Sequence, residues 1–435
     1  MKQFVNSLDK PRILGIIFCK FSLLSKSRIE IGAVKTHPLK ATHKQTKAYN
    51  GQLVLKTIYD HDRISRADVA RATGLTRTSV SELVNDLLRQ RLVEEVGRGP
   101  SAGGKSPILL SVMDEARHLI GIDLANREFR GAVVNLRGEI RHTANLLVHS
   151  DSGDTALALV YELIDSLLAS TDKPLLGIGI GTPGLIDTAN GVVQQAVNLD
   201  WRDLPLGNLL RARYNLPIYV ANDSQLAALA EHTFGGGQDA SNLVVIKVGR
   251  GIGAGIVLNG QLFQGDGSGA GEIGHIAIVE DGPQCRCGNF GCLETVASTR
   301  AIVQRAQALA PTHPHSLLNR FSSQPDAITT DTIQAAFQAG DDLARQIVLE
   351  AGRYLGMAAA GLVGALNVQR ILVVGKMARF GQPWLEAIRQ EMLKRSLPML
   401  AQRTQIEIGQ LEPNVVILGA SAMLLTRELG LSLVR

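Results

Sequence analysis

Cys285-Arg286-Cys287-Gly288-Asn289-Phe290-Gly291-Cys292-Leu293-Glu294, preceded by Gly271-Glu272-Ile273-Gly274-His275, is the stretch on which the reading of this chain turns. Cys285, Cys287 and Cys292 fall within eight residues, which is metal-ligand spacing and not a disulfide framework. Gly288 and Gly291 permit the tight turn that brings three thiolates together, and a tetrahedral zinc needs a fourth ligand. His275, ten residues before Cys285, is the natural candidate. A Cys3His set is closed and leaves no position for a catalytic water, so one structural zinc per chain is expected. The fourth cysteine, Cys19, stands alone, and the whole pattern fits a reducing cytoplasm.

Outward from this cluster the chain alternates strands and helices. Leu119 to Leu124, Phe129 to Asn135 and Glu139 to Val148 read as three strands at hairpin spacing, with Arg137-Gly138 in the second turn. A helix over Ala156 to Leu168 follows, then a strand over Leu175 to Gly181. Its alternating glycines allow another backbone to approach closely. Thr182 to Asp187 reads as a turn, Pro217 to Val220 as a strand, and Gln225 to Glu231 as a helix. The order recurs with strands at Asn242 to Val248, Gly255 to Leu258 and Arg370 to Val374, a long helix near Leu343 to Leu366, and a final helix after Leu418. This is an α/β pattern split into two lobes.

The N-terminal quarter differs. The chain has 435 residues and a net charge of +5, but the first 110 residues hold 19 Lys and Arg against 9 Asp and Glu, a net +10. The remainder is therefore mildly acidic at −5. A basic head on an acidic body points to an anionic partner such as nucleic acid. Hydrophobic residues at 45% and charged residues at 20% exclude wholesale disorder, and the mean hydropathy is +0.09. The apolar run Ile13 to Cys19 is too short for a bilayer span, which needs about 20 residues. Residues 1–44 read as a poorly ordered tail carrying +6 of the head's charge between Lys2 and Lys40, so the helix pattern carries more of the nucleic-acid argument than the charge does.

That pattern covers residues 45–113. A helix from about Ala48 to Asp60 buries Leu53, Val54, Leu55, Ile58 and Tyr59. Ser65 caps a second, short helix with Asp68 three residues on, and Gly74 ends it. Thr76 caps a third helix to about Gln90, with Val80, Leu83, Val84, Leu87 and Leu88 facing inward. Its first turn offers Thr76, Arg77, Thr78, Ser79 and Ser81 to phosphates and base edges, with Arg77 the leading base contact. Strands at Leu92 to Val96 and Ile108 to Val112 would form a wing whose basic tip carries Arg98 and Lys105. This is a winged helix-turn-helix.

Leu119 to Asp123, Gly177 to Asp187, Asn222-Asp223, Gly251-Ile252-Gly253-Ala254-Gly255 and the two opening motifs together resemble the ROK family of repressors, open reading frames and kinases. The likeness spans about 118 to 430. With the winged head, it is similar to the family's sugar-responsive repressors, the branch of the N-acetylglucosamine and xylose repressors. The resemblance implies an actin-like, sugar-kinase-like (RNase H-like) ATPase-type fold, with lobe 1 at about 118–235 and lobe 2 at about 236–435. It implies sugar binding by Asn222, Asp223, Glu272, His275 and Glu294, and a metal on His275, Cys285, Cys287 and Cys292. It also implies a homodimer or homotetramer on operator DNA.

The nucleotide elements depart from the family's kinases. Those carry Asp-x-Gly-Gly-Thr-Lys in the first strand turn, where glycine amides approach phosphate. This chain has Asp123-Leu124-Ala125-Asn126-Arg127-Glu128, and only one glycine in Val374-Gly375-Lys376-Met377. Gly251-x-Gly253-x-Gly255 survives. Loss of phosphate positioning removes most of the catalysis in phosphoryl transfer, so the expectation is a non-enzymatic sensor of a sugar or phosphosugar. The alternative is a sugar kinase with an appended DNA-binding domain, in which Asp223 would be the base.

Overall fold

The computed structural model describes residues 42–100, 106–125, 128–148 and 153–431. Residues 1–41, with Cys19, and Lys105, Asn126 and Arg127 lie outside that description. From Lys47 onward the chain forms one compact unit.

The head comprises α1 (His43–Asp60), β1 (Ile64–Ser65), α2 (Arg66–Thr73), α3 (Arg77–Arg89), β2 (Val93–Arg98) and β3 (Ile108–Val112). Ser65 Oγ accepts the Asp68 amide at 3.2 Å, and Gly74 closes α2 at φ 70°, a left-handed conformation that glycine adopts without strain. Thr76 Oγ1 accepts the Ser79 amide at 3.2 Å, so both expected caps are in place. The strands form a sheet in the order β1-β3-β2. β1 was not expected: Ile64 pairs with Leu110 and Ser65 with Leu109, and two residues carry no readable alternation.

The body has two five-stranded sheets of one topology. In lobe 1, β4 (His118–Ala125), β5 (Glu128–Val134), β6 (Ile140–Leu147), β7 (Leu175–Thr182) and β11 (Ile218–Asn222) lie in the order β11-β7-β4-β5-β6. In lobe 2, β12 (Leu243–Val248), β13 (Ile252–Leu258), β14 (Gln261–Phe263), β15 (Arg370–Val374) and β16 (Gln405–Ile408) lie in the order β14-β13-β12-β15-β16. Each sheet joins an antiparallel meander to two parallel strands. A third, small sheet holds β8 (Leu185–Asp187), β9 (Val192–Ala196) and β10 (Trp201–Leu204). The turn expected at Thr182 to Asp187 is thus partly strand, because its partners lie beyond any local signal.

Helices α4 (Gly153–Ala169) and α5 (Leu206–Tyr214) cover lobe 1, and α6 (Asp223–Thr233) runs from the end of β11. Lobe 2 carries α7 (Leu293–Ala297), α8 (Thr299–Leu309), α9 (Leu318–Phe321), α10 (Thr330–Gln338), α11 (Asp342–Leu366), α12 (Gln382–Arg395) and α13 (Pro398–Ala401). α11 has the length and hydropathy of a membrane span, but Leu343, Ile347, Leu355 and Val363 are buried in the lobe 2 core with Trp384 and Ile388 of α12.

The last helix, α14 (Val415–Leu429), crosses the lobe 1 sheet where the alternating glycines predicted a close approach. A Cβ on Gly179 would stand 2.5 Å from the Ala420 carbonyl oxygen, and one on Gly121 2.4 Å from that of Ile417. At its far end, Leu424 and Leu425 share a buried cluster with Val54, Ile58, Val84 and Leu110 of the head and with Leu119 and Leu136 of lobe 1. Burying each such side chain contributes about 1.5–3 kcal/mol. Tyr59 Oη donates to the Leu136 carbonyl at 2.8 Å, and Arg137 lies over the Tyr59 ring while donating to its carbonyl at 2.7 Å. Head and lobe 1 therefore share one core.

Candidate functional site

The two opening motifs meet in lobe 2. His275 Nδ1 lies 3.6 Å from Cys285 Sγ, and Cys287 Sγ lies 3.7 Å from Cys292 Sγ. One donor atom from each of the four residues falls within 4.8 Å of every other. A tetrahedron with zinc–sulfur bonds of about 2.3 Å has edges of about 3.8 Å, so the donors are already at ligating separation. The residues fit a metal. Because Nδ1 faces the thiols, the opposite nitrogen, Nε2, points toward Glu272, 4.0 Å from its Oε2. A metal on Nδ1 would fix the proton on Nε2 and leave it as a donor.

Glu272 precedes the short turn that carries His275. Its carboxyl is pushed up to about 7 by burial first, and then by the charges of Asp223 and Glu294. These three acids converge from different elements: Asp223 begins α6 and Glu294 lies in the first turn of α7. Glu294 Oε2 accepts the Ile252 amide at 3.1 Å, which ties it to the glycine loop. Asn222 has a different place from Asp223. Its Oδ1 caps α6 by accepting the Ser224 and Gln225 amides, and its Nδ2 donates to the Gly184 carbonyl at 3.0 Å. Asn222 thus makes the α6 cap, and the Asp223 carboxylate instead accepts from Ser224 Oγ at 3.2 Å and from Lys247.

Beside these acids, charged groups from both lobes are paired internally. Lys247 Nζ of β12 donates to Asp223 Oδ2 at 2.7 Å, and Arg130 donates to Asp123 Oδ2 at 2.7 Å. The Gly375 amide donates to Glu412 Oε1 at 2.5 Å. The surviving glycines Gly253 and Gly255 are explained by packing: a Cβ on Gly255 would stand 2.5 Å from the Ser224 carbonyl oxygen, and one on Gly253 2.4 Å from Ser224 Oγ. They let α6 lie on β13. Sequence reading missed Lys247, Arg130 and Glu412, whose partners are fixed only by the sheet registers. It also missed Gln225, whose Nε2 donates to the Ser268 carbonyl at 2.9 Å and anchors the loop before Glu272.

In the head, Arg77 and Thr78 are exposed at the start of α3, and Arg98 is exposed on the wing. Thr76 and Ser79 bond each other at 2.9 Å, and Ser81 donates back to the Arg77 carbonyl at 2.9 Å. These three hydroxyls are occupied locally. Asn85, one turn beyond Ser81, is also exposed, and its i+4 spacing was the available signal.

This geometry agrees with the comparisons. The ROK family model matches residues 119–427, and a MarR family model matches residues 53–102. The chain belongs to the ROK family. It is 35% identical over 395 residues to the xylose repressor of Caldicellulosiruptor bescii, covering 89% of this chain and 98% of that one. A solved ROK family transcriptional regulator, homologous to the Escherichia coli MLC protein, superposes with TM-score 0.79 at 30% identity over 89% of this chain and 98% of its own. A Streptomyces griseus ROK glucokinase, solved with glucose and AMPPNP, superposes with TM-score 0.65 at 28% identity. That enzyme covers 70% of this chain but 98% of itself, so its likeness stops short of the head.

Proposed function

We propose that this protein is a cytoplasmic, sugar-responsive transcriptional repressor that binds operator DNA through its winged helix-turn-helix and a sugar through the cleft between its lobes. The observation that carries the reading is the continuous core from the recognition helix to α14, which packs on the helix bearing Asp223. A ligand that favours one arrangement of the lobes thereby biases the head, as coupling between sites requires. Arg77 and Thr78 contact base edges, while Arg98 and, on the wing tip, Lys105 contact the backbone. Thr76, Ser79 and Ser81 position the helix end against phosphate. Operators of two half-sites would be met by a homodimer, or by a homotetramer of two such pairs.

Asp223, Glu272 and Glu294 accept hydrogen bonds from sugar hydroxyls, His275 Nε2–H donates one, and Asn222 sets the start of α6 with one amide hydrogen left for the ligand. Zinc on His275, Cys285, Cys287 and Cys292 holds the loop that aims His275 and Glu272 into the cleft. The test is operator binding by purified protein with and without D-xylose, D-glucose and N-acetylglucosamine, in free and phosphorylated forms. A ligand at 100 times its dissociation constant should raise stability by about 2.7 kcal/mol. No change in operator affinity with any of them would refute the reading. Sugar-dependent ADP release from Mg-ATP would instead favour a DNA-binding kinase.

A further inference from the structure

We infer that Lys247 is a tethered counter-ion: its ammonium fills, from within the chain, the place between carboxylates that a divalent cation would otherwise take, and so positions Asp223 for a neutral ligand. The inference deepens the sugar-sensing reading and rests on it.

Lys247 reaches from β12 of lobe 2 to Asp223 at the head of α6, the helix that packs on that sheet, in a 2.7 Å pair. Its side chain is 21% exposed and that of Asp223 12%. Burial disfavours the ammonium, but the charges of Asp223 and Asp123 outweigh it and raise the Lys247 pKa above its ordinary value, with Glu412 adding to them. The second observation is Asp123. Its side chain is 4% exposed, one oxygen is bonded to Arg130, and the other, Oδ1, is buried without a hydrogen-bond partner. Burial pushes its carboxyl up, and Lys247 and Arg130 oppose that. A buried acceptor left open is unfavourable, and the Lys247 charge that acts on Asp123 offsets part of that cost.

Asp223 bonds the ammonium and the charges of Asp123 and Glu412 act on it, and carboxylates are the ligands that a hard cation such as Mg2+ selects. A lysine there makes the site independent of metal and nucleotide. The same pairing disfavours an anionic ligand: Lys247 and Arg130 already bond carboxylates, and a phosphate would stand among Asp123, Asp223, Glu272 and Glu412.

The test compares wild type with Lys247→Ala and Lys247→Arg by thermal shift and by calorimetry with D-xylose, D-glucose and N-acetylglucosamine. Lys247→Ala should bind the sugar at least about 10-fold more weakly, and 10 mM Mg2+ or ethylammonium should restore both binding and thermal midpoint. Wild type should respond to neither cation, and Lys247→Arg should retain most of the affinity. Sugar binding unchanged in Lys247→Ala, or weakened with no recovery by either cation or by arginine, would overturn the inference. If wild type binds none of the sugars, the sensing reading fails instead, and the counter-ion role is decided by whether Mg2+ raises the midpoint of Lys247→Ala alone.

Discussion

On one side of the candidate site, Glu272 and His275 are partly exposed, and partial burial together with the charges of Asp223 and Glu294 pushes the Glu272 carboxyl up to about 7. On the other side, Lys247, Arg130 and the Gly375 amide each already hold a carboxylate of the same chain. Lys247 lies in β12 and Gly375 follows β15 in lobe 2, Arg130 lies in β5 of lobe 1, and Glu272 and His275 flank a short turn outside both sheets. The difference teaches that charged groups gathered by one fold can be left partly exposed or satisfied internally, according to the partners the chain gives them.

The comparison breaks most visibly if the open side does not depend on the metal cluster. Cys292→Ser removes one of four donors, so metal content should fall from about one per chain to near zero, with the sugar response lost while operator binding persists. Elemental analysis of purified protein settles the first point. Undiminished metal in the variant would show that the cluster is not the metal site.

A smaller effect is expected at the carboxylate. Glu272→Ala removes a carboxyl that is only partly ionised near pH 7, so the hydrogen bonds lost are worth about 1–3 kcal/mol, or roughly 5- to 150-fold in sugar affinity. Operator affinity without ligand should stay within about twofold, since the head is distant. An unchanged sugar titration would take Glu272 out of the cleft's chemistry and blur the contrast between its sides.

The head gives a third effect, independent of both sides. Arg77→Ala should cost about 1–3 kcal/mol of specific operator binding if the guanidinium reads a guanine. Arg98→Ala should weaken all sequences alike and lower the salt slope by about one counter-ion. A gel-shift series across salt concentrations separates the two. Equal losses on specific and random DNA for Arg77→Ala would move that residue to the backbone.

How far these features were readable differs by their range. The Ser65 and Thr76 caps, the glycine at the end of α2 and the Cys3His spacing are local, and each was legible from residues within about 20 positions. Most strands of the two large sheets were legible from their apolar runs, though the short β14 and β16 were not, and the glycines of β7 announced a close backbone approach without saying that α14 makes it. What stayed hidden needs tertiary register. Lys247 and Asp223 are 24 positions apart on different lobes, and Glu412 meets Gly375 across a crossover. Gly253 and Gly255 looked like a phosphate loop because a glycine that admits a ligand and a glycine that admits a helix look alike in sequence. Asn222 looked like a free ligand because its cap role depends on where α6 starts.

The smallest effect tests whether the junction beneath the head is set by charge or by its shared core. Glu115 accepts from Arg141, from His118 at 2.9 Å and from Asn135 at 2.8 Å, close to the Arg137–Asp114 pair that meets Tyr59. The Arg141 hydrogen bond, with help from His118 and Asn135, lowers the Glu115 carboxyl from 4.5 to about 2. A depressed folded-state value means that its stabilisation is complete above pH 4.5 and is lost as pH falls toward 2. The thermal midpoints of wild type and Glu115→Gln should therefore differ most at pH 5 and above, and converge by about pH 2. Because the side chain is 44% exposed, solvent screening keeps the gap small beside the contribution of the Leu424–Leu425 core. A gap that does not narrow on acidification would mean that Glu115 acts by shape and not by charge, leaving the junction to its shared apolar core and to the Tyr59–Leu136 and Arg137–Tyr59 hydrogen bonds.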